Sequence, residues 1–468
     1  MDCQQRPALL SKSMRLILTL AAFLVVLSPA TLLSAADLVP TAYEGKAKRI
    51  IELARSEEFA FRRLAELCDT FGPRFSGTQS LEDAIDWALK EFKKDGFENV
   101  HGEKVMVPRW VRGKESATML EPRKRNLPML GLGGSIATPK GGITAPVFVV
   151  SSFADLKANA AKAKGKIVLF DVPFTEYRAT VMIRLNGATE AAKVGAVASL
   201  IRSVGPYSMQ TPHTGSMRYQ DGVKKIPHAA ITIEDSTMLH RMQDRGQKPI
   251  VTLKMSAHQL PDAPSRNIVA DLIGTEKPDE IVLVSGHFDS WDVGTGAMDD
   301  GGGCLAAWEA ARLLMKNGLR PKRTIRVVLW TNEENGMAGA KTYRKTNAAD
   351  LKNHLIGIES DAGAFKPTGF GFTGSEKAMP YLREIGDLLL PIRKAKLAWG
   401  CRGADVMQLL SGGVPAMHLE VDRGRYFWFH HTAADTIDKL SVKELQDCTA
   451  YMAVMAYVIA DMPDRLPR

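Results

Sequence analysis

Cysteine is scarce in this chain. There are five in 468 residues (Cys3, Cys68, Cys304, Cys401 and Cys448), and no two form a Cys-x-x-Cys pair. That spacing excludes a disulfide-dense scaffold and a zinc ribbon, leaving room for one or two disulfides at most. Aromatic residues make up 7% of the chain and do not alternate with basic ones, so the stacking-and-charge pattern of a nucleic-acid binder is missing. Beyond the first thirty residues no apolar run approaches the ~20 residues that a membrane span needs. Internal repeats and low-complexity stretches are missing too, which argues against solenoids and disordered arrays. What is present is ordinary for a globular protein: 45% hydrophobic and 24% charged residues. The formal charge of +9 is spread along the chain and reads as a solvated basic surface, with a mild attraction for anionic substrates.

The N-terminus has its own character. Arg6, Lys12 and Arg15 precede an apolar stretch from Leu16 to Leu27, and Ser34-Ala35-Ala36 follows. This is the basic, apolar, small-residue order of a secretory signal, with cleavage expected after Ala36. Residues 1–36 carry a net +2, so their loss takes the formal charge from +9 to +7. The stretch is short for a membrane anchor. The expected product is exported (periplasmic or secreted), with no stable membrane insertion.

Helical spacing of apolar residues predicts a helix over 41–68 and a second one capped by Ser80, running to Lys94 and stopping at Gly96. Residues 98–110 read as extended. From 127 to 257 short β-like runs, Gly-Gly pairs and prolines take over, with one helix near 188–195. This predicts a small α/β or β-rich unit inserted in a larger one. Its loop Pro206–Gly222 carries Met209, His213, Met217 and Tyr219. It reads either as surface or as a lid facing the substrate. From 265 onward strands (281–286, 324–331, 355–360, 414–420) alternate with helices (302–316, 377–389, 402–411, 442–461). The fold class expected is α/β, a mostly parallel sheet flanked by helices, with its chemistry at the carboxyl ends of the strands.

Those strand ends carry the informative residues. Ile281–Gly286 leads into His287-Phe-Asp289, and a Gly-rich turn then brings Asp299-Asp300 to the start of the next helix. Asp289 is placed to hydrogen-bond the His287 imidazole. Glu333-Glu334 ends the strand near 324–331, Asp361 ends the next, and His430-His431 follows the strand near 414–420. Singly, an Asp-Asp is a helix cap, a Glu-Glu is solvated surface, and a His-His pair is packing. At four successive strand ends, nitrogen and oxygen donors of this kind suit a zinc centre, and one carboxylate can bridge two ions. Adjacent glutamates point different ways, so one can bind metal while the other serves as general base.

The motifs Ser285-Gly-His-Phe-Asp-Ser-Trp, Gly296-Ala-Met-Asp-Asp-Gly-Gly-Gly, Leu329-Trp-Thr-Asn-Glu-Glu, Glu359-Ser-Asp and Phe429-His-His-Thr resemble the co-catalytic zinc aminopeptidase superfamily, and in particular its carboxypeptidase branch. Gly72-Pro-Arg-Phe-Ser-Gly and Pro212-His-Thr-Gly extend the likeness across nearly all of the chain after residue 45. The resemblance implies two zinc ions per chain. His287 and Asp361 would hold one, Glu334 and His431 the other, and Asp299 would bridge them across a cis bond to Asp300. It implies Glu333 as general base, Asp289 orienting His287, and His430 standing where several relatives place an oxyanion-donating tyrosine. It further implies a catalytic domain from 37–126 and 258–468, an inserted protease-associated domain at 127–257, and a homodimer. The expected activity is hydrolysis of dipeptides or short peptides with a free C-terminal carboxylate, received by a basic group for which Arg402, Arg423 and Arg425 are candidates. The alternatives on the same fold are an aminopeptidase acting on longer peptides, a single-zinc glutaminyl-cyclase-like acyltransferase, and a metal-free binding module. The full ligand set disfavours the last two.

Overall fold

The computed structural model describes Val39 and residues 41–468, so the proposed secretory segment lies outside the described residues. Two eight-stranded sheets organise what is described. The first runs, in spatial order, Glu98–Val111, His258–Leu272, Arg323–Trp330, Lys277–His287, His354–Glu359, Ala416–Val421, Pro367–Thr373 and Lys396–Trp399. Its four central strands, from Arg323–Trp330 to Ala416–Val421, are mutually parallel. The flanks are not: Glu98–Val111, His258–Leu272 and Pro367–Thr373 pair antiparallel to their inner neighbours.

Alternation along one strand shows why helices cover both faces. Val282 and Val284 join one buried core, with Cys304, Leu305 and Trp308 of helix Gly302–Lys316 and most of helix Val442–Asp461. Ile281 and Leu283 point the other way, into a second core with Trp330, Tyr343 and Leu409. A strand buried on both sides needs no polar alternation, which is why 281–286 reads as an unbroken apolar run. Helix Val442–Asp461 is buried along nearly its whole length. Each large aliphatic side chain there contributes about 1.5–3 kcal/mol by leaving water. Among the described residues no helix is long and apolar enough to cross a membrane.

The expected mostly parallel sheet is therefore a mixed one, parallel through its four central strands and again where Pro367–Thr373 meets the edge strand Lys396–Trp399. The missed strands alternate polar with apolar residues or lie at an edge, so their composition is weak. The single helix expected over 41–68 is two, Ala42–Ser56 and Phe59–Phe71, broken at Glu57-Glu58. The third helix, Gln79–Asp95, is capped by Thr78, whose Oγ1 accepts from Leu81 N at 3.3 Å. Ser80 instead donates to the Phe71 and Pro73 carbonyls. The helix near 188–195 is longer, spanning Tyr177–Lys193.

The second sheet runs Arg125–Leu127, Glu115–Glu121, Ile250–Met255, Ile143–Val150, Ile167–Phe170, Ala198–Arg202, His228–Ile231 and Met129–Gly131. It starts at Glu115, ahead of the composition change at 127, because its first strand carries an ordinary polar-apolar alternation. Its core is separate, built around Leu169, Leu200, Ala229 and Leu253. Cys68, Cys304, Cys401 and Cys448 are buried and free, so none of these four forms a disulfide.

Candidate metal centre

The register of the parallel strands gathers the donors. His287 lies opposite Trp330, and Ser285 opposite Glu359. The chain just past each strand end therefore arrives at one place: His287 itself, Glu333-Glu334 after Trp330, and Asp361 after Glu359. Helix Gly302–Lys316 starts beside them. A side chain on Gly303 would meet the Ser360 carbonyl at 2.0 Å, so only glycine lets the helix begin there. Asp300 ties this start down, accepting from His287 N at 3.1 Å and Gly303 N at 3.2 Å. The Asp299–Asp300 bond is cis.

Asp299 stands between two histidines. Its Oδ1 lies 3.2 Å from His287 Nε2, and its Oδ2 lies 3.3 Å from His431 Nε2. Asp361 Oδ1 is 3.6 Å from His287 Nε2, and Glu334 Oε2 is 3.0 Å from His431 Nε2. Two donor groups result, His287/Asp299/Asp361 and Asp299/Glu334/His431, and they share Asp299. All five residues singled out as ligands are thus brought together. Glu334 Oε1 and Asp299 Oδ2 are buried without a hydrogen-bond partner among the described residues, even though two imidazoles stand near the latter. Unpaired buried carboxylates facing one another are costly, and bound cations would relieve that cost, so the donors fit a metal.

The charges respond accordingly. Burial pushes Glu334 up to about 7, against the pull of His431. Burial opposes a charged His431, yet Glu334 and Asp299 beside it push it up to about 9. His287 is likewise raised well above its ordinary value, against its burial, by Asp299 and Asp361. A metal must displace these protons, so its affinity is expected to rise with pH up to about 9. Between pH 6 and 8 the displaced His431 proton should strengthen binding by about tenfold per pH unit, with a further gain from Glu334 that fades above about 7. Competition with a chelator measures this, and a flat profile would remove the histidines from the ligand set.

His431 has φ 58°, a left-handed conformation unusual for a side chain with a Cβ. The second-sheet segment holds it there: Thr214 N donates to His431 O at 2.9 Å, and His431 Nδ1 faces Thr214 O at 3.4 Å. The part of the loop Pro206–Gly222 around His213 and Thr214 thus packs onto the site, while Tyr207 and Met209 lie exposed. His213 of that loop stacks near His430 and His431. Its Nδ1 faces His430 O at 3.3 Å, while its Nε2 meets Arg184 Nη1 at 2.9 Å. Burial and Arg184 hold His213 well below its ordinary pKa, so it is neutral.

Asp299, Glu334, Asp361 and His431 line a cleft of about 1200 Å³, together with Arg184 and Tyr177 of the second-sheet segment. Comparison with known proteins agrees with this architecture. The sequence model of peptidase family M28 matches residues 267–456. Carboxypeptidase Q of Mus musculus is 49% identical over 429 residues, covering 91% of each chain, and that of Homo sapiens is 49% identical over 425 residues, covering 90% of each. The chain belongs to peptidase family M28, in the carboxypeptidase Q group. The crystal structure of a peptidase M28 precursor from Shewanella amazonensis superposes with a TM-score of 0.88 at 35% identity, covering 91% of this chain and 98% of that one. A zinc aminopeptidase of Bacillus subtilis shares the fold, with a TM-score of 0.66 at 21% identity, over 87% of this chain and 96% of that one. The enzyme is a metallopeptidase, and an exopeptidase by its family.

Asp289 works differently in this M28 enzyme from what its spacing implies. The His287 Nδ1 bond is to the Asp289 backbone carbonyl at 3.0 Å; the carboxylate is 3.8 Å away. That carboxylate instead accepts from Glu333 N at 3.0 Å, Glu334 N at 3.4 Å and Ser76 Oγ at 3.3 Å. The physical reason is that the backbone N–H groups of Glu333 and Glu334 and the Ser76 hydroxyl hold the carboxylate, leaving the carbonyl nearer the ring. Asp289 thus fixes the Glu333-Glu334 turn. Asp289→Asn is expected to lower activity by about 10–100-fold, since it weakens a group that orients ligand and base together. Steady-state kinetics with metal analysis checks this, and unchanged kcat and metal content would refute it.

Two anchors were not legible as such. Arg74, fully buried, donates to the carbonyls of Phe288 (3.0 Å), Thr295 (2.7 Å) and Gly296 (3.0 Å), pinning the loop between His287 and Asp299. Asp435 accepts from Met298 N at 2.7 Å and Asp299 N at 3.2 Å, holding the shared carboxylate in place. Arg74 lies in the motif Gly72-Pro-Arg-Phe-Ser-Gly and Asp435 three residues past Phe429-His-His-Thr, but their partners are loop backbone groups that no spacing rule reveals. Of the arginines considered for the substrate, Arg402 and Arg423 line the cleft. Arg425 pairs with Glu444 at 2.8 Å and does not line it.

Proposed function

We propose that this enzyme is a zinc exopeptidase that hydrolyses dipeptides or short peptides with a free C-terminal carboxylate. Two zinc ions would be held by His287 with Asp361 and by Glu334 with His431, with Asp299 shared. The placement of Asp299 between the two imidazoles, 3.2 and 3.3 Å from their Nε2 atoms, carries this reading. When bound, such ions lower the pKa of water and polarise a carbonyl. Glu333 lies at the cleft and takes the proton of the attacking water, then returns it to the leaving amine. Burial and the neighbouring Asp361 and Glu334 raise its pKa well above the ordinary value, offsetting the pull of His287. A raised pKa suits a carboxylate that must accept a proton and give it back. His430 is buried beside Asp299, its Nδ1 has no partner among the described residues, and burial and His431 keep it neutral. A neutral imidazole can donate to the oxyanion as it forms.

The carboxypeptidase name of the mammalian relatives and the arginines of the cleft support a substrate bearing a free carboxylate. A panel of dipeptides tested as free acids and as C-terminal amides decides this. Cleavage of the acids at about 100-fold or higher kcat/KM is expected, since a buried ionic contact is lost with the amide. Equal cleavage of acids, amides and longer peptides would favour a general aminopeptidase instead. The second sheet is read as the inserted protease-associated domain. Export after cleavage behind Ala36 and assembly as a homodimer complete the proposal; N-terminal sequencing and light scattering of the secreted product test them.

A further inference from the structure

Resting on the free-carboxylate reading above, we infer that Arg184 and Tyr177 form the clamp that receives the substrate's terminal carboxylate. Both come from one face of helix Tyr177–Lys193, two turns apart, so the second-sheet segment would set specificity while the first sheet does the chemistry.

Arg184 is 5% exposed and lines the cleft. Among the described residues no carboxylate pairs with it, whereas Arg402 and Arg423 both approach Glu420, at 4.0 and 3.9 Å. A buried guanidinium without an acid is expensive unless an anion arrives. Its position is built. Nε donates to Ser216 O at 3.1 Å, Nη1 to His213 Nε2 at 2.9 Å and, more weakly, to Thr214 O at 3.4 Å, and Nη2 to Tyr177 Oη at 3.1 Å. Gly215 leaves the space, since a Cβ there would lie 2.2 Å from Arg184 Nη1. His213 must accept from Arg184, because its other nitrogen faces the His430 carbonyl.

This count uses four of the five guanidinium hydrogens and leaves one on Nη2. The Tyr177 hydroxyl, which accepts from Arg184, keeps its own hydrogen, and among the described residues it donates to no acceptor. Two adjacent free donors on a buried positive charge match the two oxygens of a carboxylate. The reach is right as well. Arg184 Nη1 lies 3.4 Å from His431 Nδ1, one imidazole away from the shared carboxylate. In a dipeptide the terminal carboxylate carbon follows the scissile carbonyl by three bonds, about 4 Å. A longer peptide would push its carboxylate past the clamp, so the clamp also measures length.

The test compares kcat/KM for a dipeptide as free acid and as C-terminal amide. Arg184→Gln is expected to lower the free-acid value by about 100-fold, mostly through KM, and the amide value by about threefold or less. Tyr177→Phe, a milder change, should lower only the free-acid value, by about 3–10-fold. Calorimetric binding of the free acid to Glu333→Gln, with and without Tyr177→Phe, should show the same weakening without turnover. Parallel loss on acid and amide would make both residues structural and overturn the inference, as would an unchanged acid-to-amide ratio. If the unmodified enzyme itself ignores the carboxylate, the substrate reading falls first and the clamp falls with it.

Discussion

Glu333→Gln should leave a folded, metal-loaded protein whose kcat is lower by about 10²–10⁴-fold, the usual contribution of a positioned general base. The side chain lies on the cleft and belongs to neither donor group, so its loss removes a proton acceptor and no ligand. Glutamine keeps the size and the backbone bond from Glu333 N to Asp289 at 3.0 Å. The measurement is single-turnover rate beside zinc content and a thermal melt. A variant with full turnover would remove Glu333 from the base role. One with low turnover and lost metal would show instead that Glu333 is a ligand.

Asp299→Ala should be more damaging, because one carboxylate serves both donor groups. Bound zinc is expected to fall to about one ion per chain or none, since each site keeps only two protein ligands of its own. Activity should drop by about 10⁴-fold or more, as the attacking water and the carbonyl lose their activation together. The melting temperature in excess zinc should fall as well. An ion that binds only the folded state contributes about 4 kcal/mol at a thousandfold excess over its Kd, and that contribution disappears with the ion. Metal analysis after gel filtration and melts with and without zinc check this. A variant that still holds two ions would rule out the bridging role. Asp435 provides an internal comparison. It touches Asp299 only through backbone N–H groups, so Asp435→Asn should cost less.

The candidate ligands His287, Glu334 and Asp361 were readable because each lies at the end of a strand rich in apolar residues. His287, Glu334 and Asp361 needed only the rule that chemistry gathers at carboxyl ends of parallel strands. The structure keeps these positions together through a register that sets His287 opposite Trp330. Glu98–Val111 was readable as extended but its place in the sheet was not, since it alternates polar and apolar residues and resembles any surface strand; the antiparallel strands His258–Leu272 and Pro367–Thr373 were not read. Asp289 shows a subtler limit. Its importance was visible, but its partner was not, because a hydrogen bond of the carboxylate and one of the backbone carbonyl look alike in sequence.

By itself the sequence determined the donor types, their order along the chain, the α/β class of the core and the family. Those properties depend on local runs and on residues at their ends. Only the tertiary structure decided that Asp299 lies between two imidazoles, that Arg74 and Asp435 hold its loop, and that Thr214, His213 and Arg184 cross from the second sheet to the metal side of the cleft. Apart from Asp299 with His287, these contacts join segments more than a hundred residues apart. Those of Thr214, His213 and Arg184 exist because the second sheet, packed on its own core, meets the first there, and no periodicity along the chain encodes the face on which they meet.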